Sequence, residues 1–232
     1  MQAAAEPARL AAAEIRRHYH AQPYATLVLE GGYEEAGDQG RYTVGPGDLL
    51  LHPAFSAHRD VVGDRRTYVL DLPLPFDGRE WPGLATVADP DSLVRAAQRD
   101  LREAHQLLVE SLVPANSNGA DPADRLAQAL SQDASLAIGE WALANSHSRE
   151  WLSRRFMRMY GVNSAQYRSE ARARQAWRRI VSSDAPLAHI AVDCGFADQA
   201  HMTRSVGQLT GRSPAAWRRA VTSVQEGAAQ AL

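Results

Sequence analysis

Two stretches of this chain repeat each other at an offset of 50 residues, and that duplication limits the possible folds more than any other feature. The first reads Leu152-Ser-Arg-Arg-Phe156 and then Gly161-Val-Asn-Ser-Ala-Gln-Tyr-Arg168. The second reads Met202-Thr-Arg-Ser-Val206 and then Gly211-Arg-Ser-Pro-Ala-Ala-Trp-Arg218. Two copies are fewer than the roughly three a solenoid needs, so the pattern marks a duplicated module. Both copies carry the same local physics. Asn163 and Ser213 are good helix N-caps, and Pro214 suits a first helical turn. Gly161 and Gly211 suit the left-handed conformation that ends a preceding helix. Upstream lie two apolar helix faces, Ile138-x-x-Trp141-Ala142 and Leu187-x-x-Ile190-Ala191. A short turn follows each, Asn145-Ser-His-Ser148 and Gly195-Phe-Ala-Asp198, and a new helix starts at Ser148 or Asp198. Helix, tight turn, helix is the helix-turn-helix arrangement.

The spacing of the two units has a consequence. A helix over 164–182 separates them, and its residues span about 28 Å at 1.5 Å each. Successive major grooves on one face of B-DNA lie about 34 Å apart. A connector of that length can set two recognition helices into adjacent grooves, where base edges distinguish all four base pairs. The charge distribution agrees. The formal net charge is −2, but residues 1–144 hold 12 Arg against 21 acidic residues, and residues 145–219 hold 13 Arg against 5. An acidic body is therefore joined to a module suited to a polyanion. All 25 basic residues are Arg, a bias that genome composition alone could produce.

The first third of the chain has a different texture. Tyr24–Glu30, Arg41–Val44, Asp48–His52, Val61-Val62 and Thr67–Leu72 read as short strands. Gly37-Asp-Gln-Gly40 and Gly45-Pro-Gly-Asp48 read as turns between them. Short strands with turn residues every 8 to 12 positions indicate a barrel or sandwich. From Asp89 the period changes. Leu93, Ala97, Leu101, Leu108 and Leu112 form an amphipathic stripe that either covers the barrel or pairs with a second subunit. Pro114 to Pro122 is a polar linker, and a helical region follows it. The expected organisation is α+β: a barrel over 10–85, an amphipathic helix and linker over 86–121, and an all-α domain over 122–225 with two helix-turn-helix units.

No stretch approaches the roughly 18–20 apolar residues a membrane span needs. The Ala-rich segment Met1 to His20 is broken by Glu6, Glu14 and several Arg, and has no signal-peptide core. A cytoplasmic location with no membrane partner is expected. The single cysteine, Cys194, permits no internal disulfide and reads as a small apolar filler near a helix end. No nucleophile triad, phosphate loop or paired-carboxylate site is legible, so a non-enzymatic role is expected.

Residues 122–220 resemble the DNA-binding domain of the AraC/XylS family of transcription regulators. The stretch Ile190-Ala-Val-Asp-Cys-Gly-Phe-Ala-Asp-Gln-Ala-His-Met-Thr-Arg-Ser-Val206, ending in Gly211-Arg-Ser-Pro-Ala-Ala-Trp-Arg218, carries most of the likeness. Met202 and Val206 stand where the family usually has Phe, Ser164 replaces a common Pro, and the first turn lacks the usual Gly. By position the resemblance implies that Arg149, Glu150, Ser153 and Arg154 of the first recognition helix face DNA. In the second it implies Gln199, Ala200, His201, Thr203 and Arg204. The chemistry suits this: Arg can bind guanine bidentately, Gln can bind adenine, and Ala or Thr can meet a thymine methyl. Glu150 could instead pair with Arg154 at i+4. Arg155, Arg158, Arg168, Arg212 and Arg218 read as phosphate or structural partners. Tyr167 and Trp217 read as core. The resemblance further implies promoter DNA and RNA polymerase as partners, and a homodimer.

Gly31-Gly32, Gly45-Pro-Gly-Asp-Leu-Leu-Leu-His-Pro53 and His58 resemble the cupin-type sensor barrel common in that family. Such barrels bind a small-molecule effector in their mouth. His18-Tyr-His20 falls where metal-binding cupins keep a His-x-His pair, and His58 where they keep a later His. Three imidazoles could hold a divalent metal such as Zn, Fe, Ni or Cu. Tyr24, however, takes roughly the place of the usual Glu, and His52 is not assigned to either strand face. The expected function is an effector-responsive, sequence-specific transcription regulator or activator. Two other readings stay open: a cupin metalloenzyme with a helical appendage, and a DNA-binding regulator whose barrel only dimerises.

Overall fold

The computed structural model describes residues 5–76, 81–115, 121–133 and 136–229. Among them the chain is an α+β protein with a β-sheet N-terminal region and a helical C-terminal region. It separates into two compact units. One takes the residues up to Arg125 together with Arg158–Gly161; the other takes Leu126–Met157 and the residues from Val162 onward.

The first unit is built on two antiparallel sheets. Its strands are β1 (Ala8–Leu10), β2 (Ala13–Tyr19), β3 (Tyr24–Glu30), β4 (Tyr33–Gly37), β5 (Gly40–Val44), β6 (Asp48–His52), β7 (Ala57–Val62), β8 (Thr67–Pro73), β9 (Leu84–Val87) and β10 (Leu112–Pro114). The larger sheet has the order β1-β8-β3-β6-β9-β10 and the smaller has β2-β7-β4-β5. Two helices, α1 (Pro90–Arg99) and α2 (Leu101–Ser111), interrupt the larger sheet in sequence.

Strand parity explains the apolar runs. Side chains alternate faces along a strand. Ala25 and Leu27 of β3, Leu49 and Leu51 of β6, and Leu70 and Leu72 of β8 share one core with Leu93, Ala96, Ala97, Leu101, Ala104 and Leu108 of α1 and α2. Their neighbours Val28, Leu50 and Val69 point the other way, into a second core with Tyr33, Tyr42, Val44 and Val62 of the smaller sheet. Both faces of the larger sheet are covered, so Leu49-Leu50-Leu51 is a continuous apolar run rather than an alternating one. Each fully buried Leu contributes about 1.5–3 kcal/mol.

The stripe Leu93–Leu112 differs from the expected single helix. Asp100 breaks it: its backbone N–H closes α1 on Ala96 O, and its Oδ1 accepts from Arg102 N at 2.8 Å to open α2. The buried face of both helices lies on the larger sheet within the same unit, so the covering role is the one realised. β9, α1, α2 and β10 belong to the first unit. Of the linker expected at 114–122, residues 116–120 lie outside the described residues.

The helical region comprises α3 (Pro122–Gln132), α4 (Ile138–Ala144), α5 (Arg149–Tyr160), α6 (Ser164–Ser182), α7 (Leu187–Asp193), α8 (Gln199–Thr210) and α9 (Pro214–Ala229). The caps fall where the repeat requires them. Ser148 Oγ accepts from Trp151 N at 3.2 Å, Asn163 Oδ1 from Gln166 N at 2.8 Å, Asp198 Oδ1 from His201 N at 2.6 Å and Ser213 Oγ from Ala216 N at 3.3 Å. Gly161 and Gly211 take left-handed φ values of 71° and 70°. The inward residues Leu152, Phe156, Met202 and Val206 are fully buried, as is Tyr167, whose ring meets Phe156 edge-on at 5.3 Å. Trp217 is only half-buried; its indole N–H donates to Thr210 Oγ1 at 2.8 Å, and its ring meets Trp177 edge-on. Cys194 is buried at the C-cap of α7.

Candidate functional site

Helices α5 and α8 present matching outer faces. In α5, Leu152 and Phe156 are spaced i, i+4 and bury one side of the helix. Arg149, Glu150 and Arg154 are exposed, and Ser153 is half-buried beside them. In α8, Met202, Val206 and Leu209 are buried, while Gln199, Ala200 and Arg204 are exposed and His201 and Thr203 are half-buried. The His201 ring rests edge-on against Phe196 at 5.2 Å, which accounts for its partial cover. Among the described residues Arg149, Arg154 and Arg204 make no ion pair, and Glu150 does not bridge to Arg154.

Several arginines elsewhere in the second unit have protein partners. Arg168 Nη1 donates to Leu136 O at 3.0 Å, and Arg172 Nη1 to Gly195 O at 3.0 Å. Arg218 Nη2 donates to Ala185 O at 2.9 Å and Ser183 O at 3.2 Å. Arg179 pairs with Asp193 at 2.7 Å, and Arg212 lies over the Trp217 ring. Of the arginines expected to serve as phosphate or structural partners, Arg168 and Arg218 thus hold loops in place. Arg172 does the same for the second turn, and Arg179 pairs on the surface with the last residue of α7; neither was expected to. Nothing in the local sequence separates them from Arg154; only the position of the receiving carbonyls does.

The turns of the two units are also alike. His147 N–H donates to Ala142 O and Phe196 N–H to Ala191 O, each at 2.9 Å. The residue that must turn left-handed is Gly195 (φ 71°) in the second unit and Ser146 (φ 61°) in the first. Ser146 therefore stands where the first turn lacks a Gly.

The first unit contains a second candidate site, a cavity of about 530 Å³ between the sheets. Cross-strand register builds it. Tyr24 of β3 pairs with His52 of β6, His18 of β2 with His58 of β7, and Glu35 of β4 with Asp60 of β7. Thr26 and Asp71 line the same cavity, with Thr26 Oγ1 donating to Asp71 Oδ1 at 2.6 Å. His18, His20 and His58, the three imidazoles expected as metal ligands, do come together: ring centroids lie 4.9 Å (His18–His20), 4.4 Å (His18–His58) and 5.6 Å (His20–His58) apart. Their ligand atoms fall within 4.8 Å of one another. His52 points into the cavity, stacked on Tyr24 at 4.3 Å, with Nδ1 3.6 Å from Glu35 Oε1.

Burial governs the charge states. It pushes His52 down to about 3 and His58 down to about 2, aided by repulsion from neighbouring imidazoles. Burial also raises Asp60 to about 6 and lifts Glu35 well above the carboxylate range, the latter helped by the nearby Asp60. Burial first, and then the neighbouring carboxyl groups, push the Tyr24 phenol up. His52 and His58 are thus in the neutral form that can ligate a metal or accept a hydrogen bond.

Glu35, His52, Asp60 and Asp71 were not anticipated. Parity from His58 reaches Asp60 two residues on, but an inward-facing carboxylate is rare enough that pattern alone does not select it. His52 was ambiguous because the apolar run before it faces both ways.

The comparisons with known proteins bear on the helical region. Residues 141–220 match the family model described as a helix-turn-helix domain. No curated protein matches the chain significantly. Among solved structures, the C-terminal domain of AraT, a response regulator from Geobacillus stearothermophilus, is 21% identical, with 45% of this chain and 88% of that chain covered and a TM-score of 0.41. The DNA-binding domain of AdpA, a global transcriptional factor solved in complex with a target DNA, is 28% identical, with 46% and 98% covered and a TM-score of 0.42. Unsaturated fatty acid-bound ToxT from Vibrio cholerae is 10% identical, with 94% and 97% covered and a TM-score of 0.43.

Proposed function

With residues 141–220 matching the family model of a helix-turn-helix domain, we propose that the chain is a sequence-specific regulator of transcription of the AraC type. In this reading α5 and α8 enter successive major grooves of promoter DNA, and the cavity of the first unit takes a small ligand that alters DNA affinity. One observation carries the DNA reading. Arg149, Arg154, Gln199 and Arg204 stand exposed on two equivalently capped helices, while cations such as Arg168, Arg172, Arg179 and Arg218 are tied to carbonyls or carboxylates. A guanidinium free of protein partners is available for guanine or phosphate at no loss of internal bonds.

Arg149, Glu150, Ser153 and Arg154 would read one half of the site, and Gln199, Ala200, His201, Thr203 and Arg204 the other. The polar cavity supports the ligand reading. Four imidazoles, three carboxyl groups and Tyr24 converge there, more polar chemistry than the fold itself needs. Fluorescence anisotropy on labelled duplexes tests the DNA reading. Selected duplexes should bind at least about 10³-fold more tightly than random ones at physiological salt. Equal affinity for selected and random duplexes would defeat it.

A further inference from the structure

Beyond the DNA-binding reading, and independently of it, we infer that the floor of the cavity is a divalent metal site made by Glu35, His52 and His58. These three side chains come from three strands, β4, β6 and β7, and all are buried. Their ligand atoms lie within 4.8 Å of one another. Two ligands of a tetrahedral Zn²⁺, each about 2.0–2.1 Å from the ion, stand about 3.3–3.4 Å apart. The His52 Nδ1 to Glu35 Oε1 separation of 3.6 Å is already close to that.

This set differs from the one the cupin resemblance implies. There the imidazoles of His18, His20 and His58 would be joined by a carboxylate at the place of Tyr24. Here Tyr24 stacks on His52 and its hydroxyl lies 3.3 Å from His58 Nε2, so a neutral phenol fills that corner. The carboxylate is supplied instead by Glu35, one strand away. The inner set is also better held. His52 and His58 are each 4% exposed, whereas His20 lies past the end of β2 and is open to solvent. Two imidazoles and one carboxylate form a ligand set for zinc or for a non-haem divalent metal, with further positions left for water or an organic ligand.

Two unpaired atoms point to the same occupant. His58 Nδ1 and Asp60 Oδ1 are buried without a hydrogen-bond partner among the described residues. Each such atom has given up its hydrogen bond to water with nothing in return, a penalty that an occupant relieves. Asp60 Oδ2 also lies 3.8 Å from His58 Nε2. Glu35 and Asp60 together place two carboxyl groups in a low-dielectric floor, an arrangement a divalent cation neutralises. Asp60 would orient His58 or join as a fourth ligand.

The test uses the full chain, stripped with chelator and titrated with Co²⁺ and then with Zn²⁺ in competition, without DNA. One equivalent of Co²⁺ should bind with a visible d–d band, and Zn²⁺ should displace it. Glu35→Gln and His52→Gln should each weaken Co²⁺ binding at least about 100-fold, more than the loss of an outer-shell partner. The double variant His18→Gln with His20→Gln should bind within a few-fold of wild type. Proton NMR of the Co²⁺-loaded wild type needs no variant: it should show paramagnetically shifted signals from two imidazole rings. Absence of stoichiometric Co²⁺ binding overturns the assignment. So does binding that survives the Glu35 and His52 changes but is lost with His18 and His20, or shifted signals from three rings.

Discussion

Replacing Ser146 by Gly should stabilise the protein, and the size of the gain follows from the two turns. Ser146 has φ 61° where its counterpart Gly195 has φ 71°, and both turns close with the same 2.9 Å hydrogen bond. A left-handed backbone costs an L-residue about 1–2 kcal/mol. Glycine removes that cost but gives up roughly 0.5–1 kcal/mol of chain entropy. The Ser146 side chain is exposed and makes no hydrogen bond among the described residues, so nothing else is lost. The net gain is about 0.5–1 kcal/mol. At about 2–4 °C per kcal/mol for a chain of this size, the midpoint should rise by about 1–4 °C. Gly195→Ser should lower it by a similar amount. Thermal unfolding gives the global value, and hydrogen exchange at the His147 amide, which closes the first turn on Ala142 O, gives the local one. If Ser146→Gly destabilised the protein, or Gly195→Ser left it unchanged, the structural equivalence of the two turns would be refuted.

Other outcomes follow from the same contacts. Leu108→Ala, on a fully buried side chain between α2 and the larger sheet, should cost about 2–5 kcal/mol in urea unfolding; a cost under about 1 kcal/mol would mean that α2 does not seal that core. Arg218→Ala removes two bonds to loop carbonyls and should cost roughly 1–3 kcal/mol of stability while leaving base preference intact, so a changed preference in binding-site selection would place Arg218 on DNA. Arg149→Ala, on the exposed face of α5, should cost about 1–3 kcal/mol on selected duplexes and much less on random ones; an equal loss on both, with the salt slope of binding reduced by about 1, would make it a phosphate contact instead.

The helical region was the more legible half. Capping residues, left-handed glycines and apolar spacings at 152/156 and 202/206 are local signals, and the structure realises each of them. The arginines were less legible. Whether a guanidinium meets a carbonyl depends on where another loop ends, as Arg172 with Gly195 and Arg218 with Ala185 show. In the first unit the central strands were readable from turn residues, but β1 and β2 were not. They lie in an Ala-rich, largely exposed segment that lacks the apolar runs marking β3 and β6. The single stripe from Leu93 to Leu112 hid the break at Asp100, because the apolar phase continues through it. Only part of the polar cavity could be anticipated. His18, His20 and His58 were found through resemblance, whereas Glu35 and His52 reach the same space only through cross-strand register, which a sequence does not display.

Binding-site selection from random duplexes, run in parallel with wild type, Arg154→Ala and Gln199→Ala, tests the regulatory account most directly. The wild type should recover a two-part site whose elements lie one helical turn apart, about 10–10.5 base pairs. Each variant should degrade its own element alone, at a cost of about 1–3 kcal/mol, or roughly 5- to 150-fold in affinity. Recovery of no preferred sequence, or of the same sequence by all three proteins, would contradict the assignment of α5 and α8 as the reading helices.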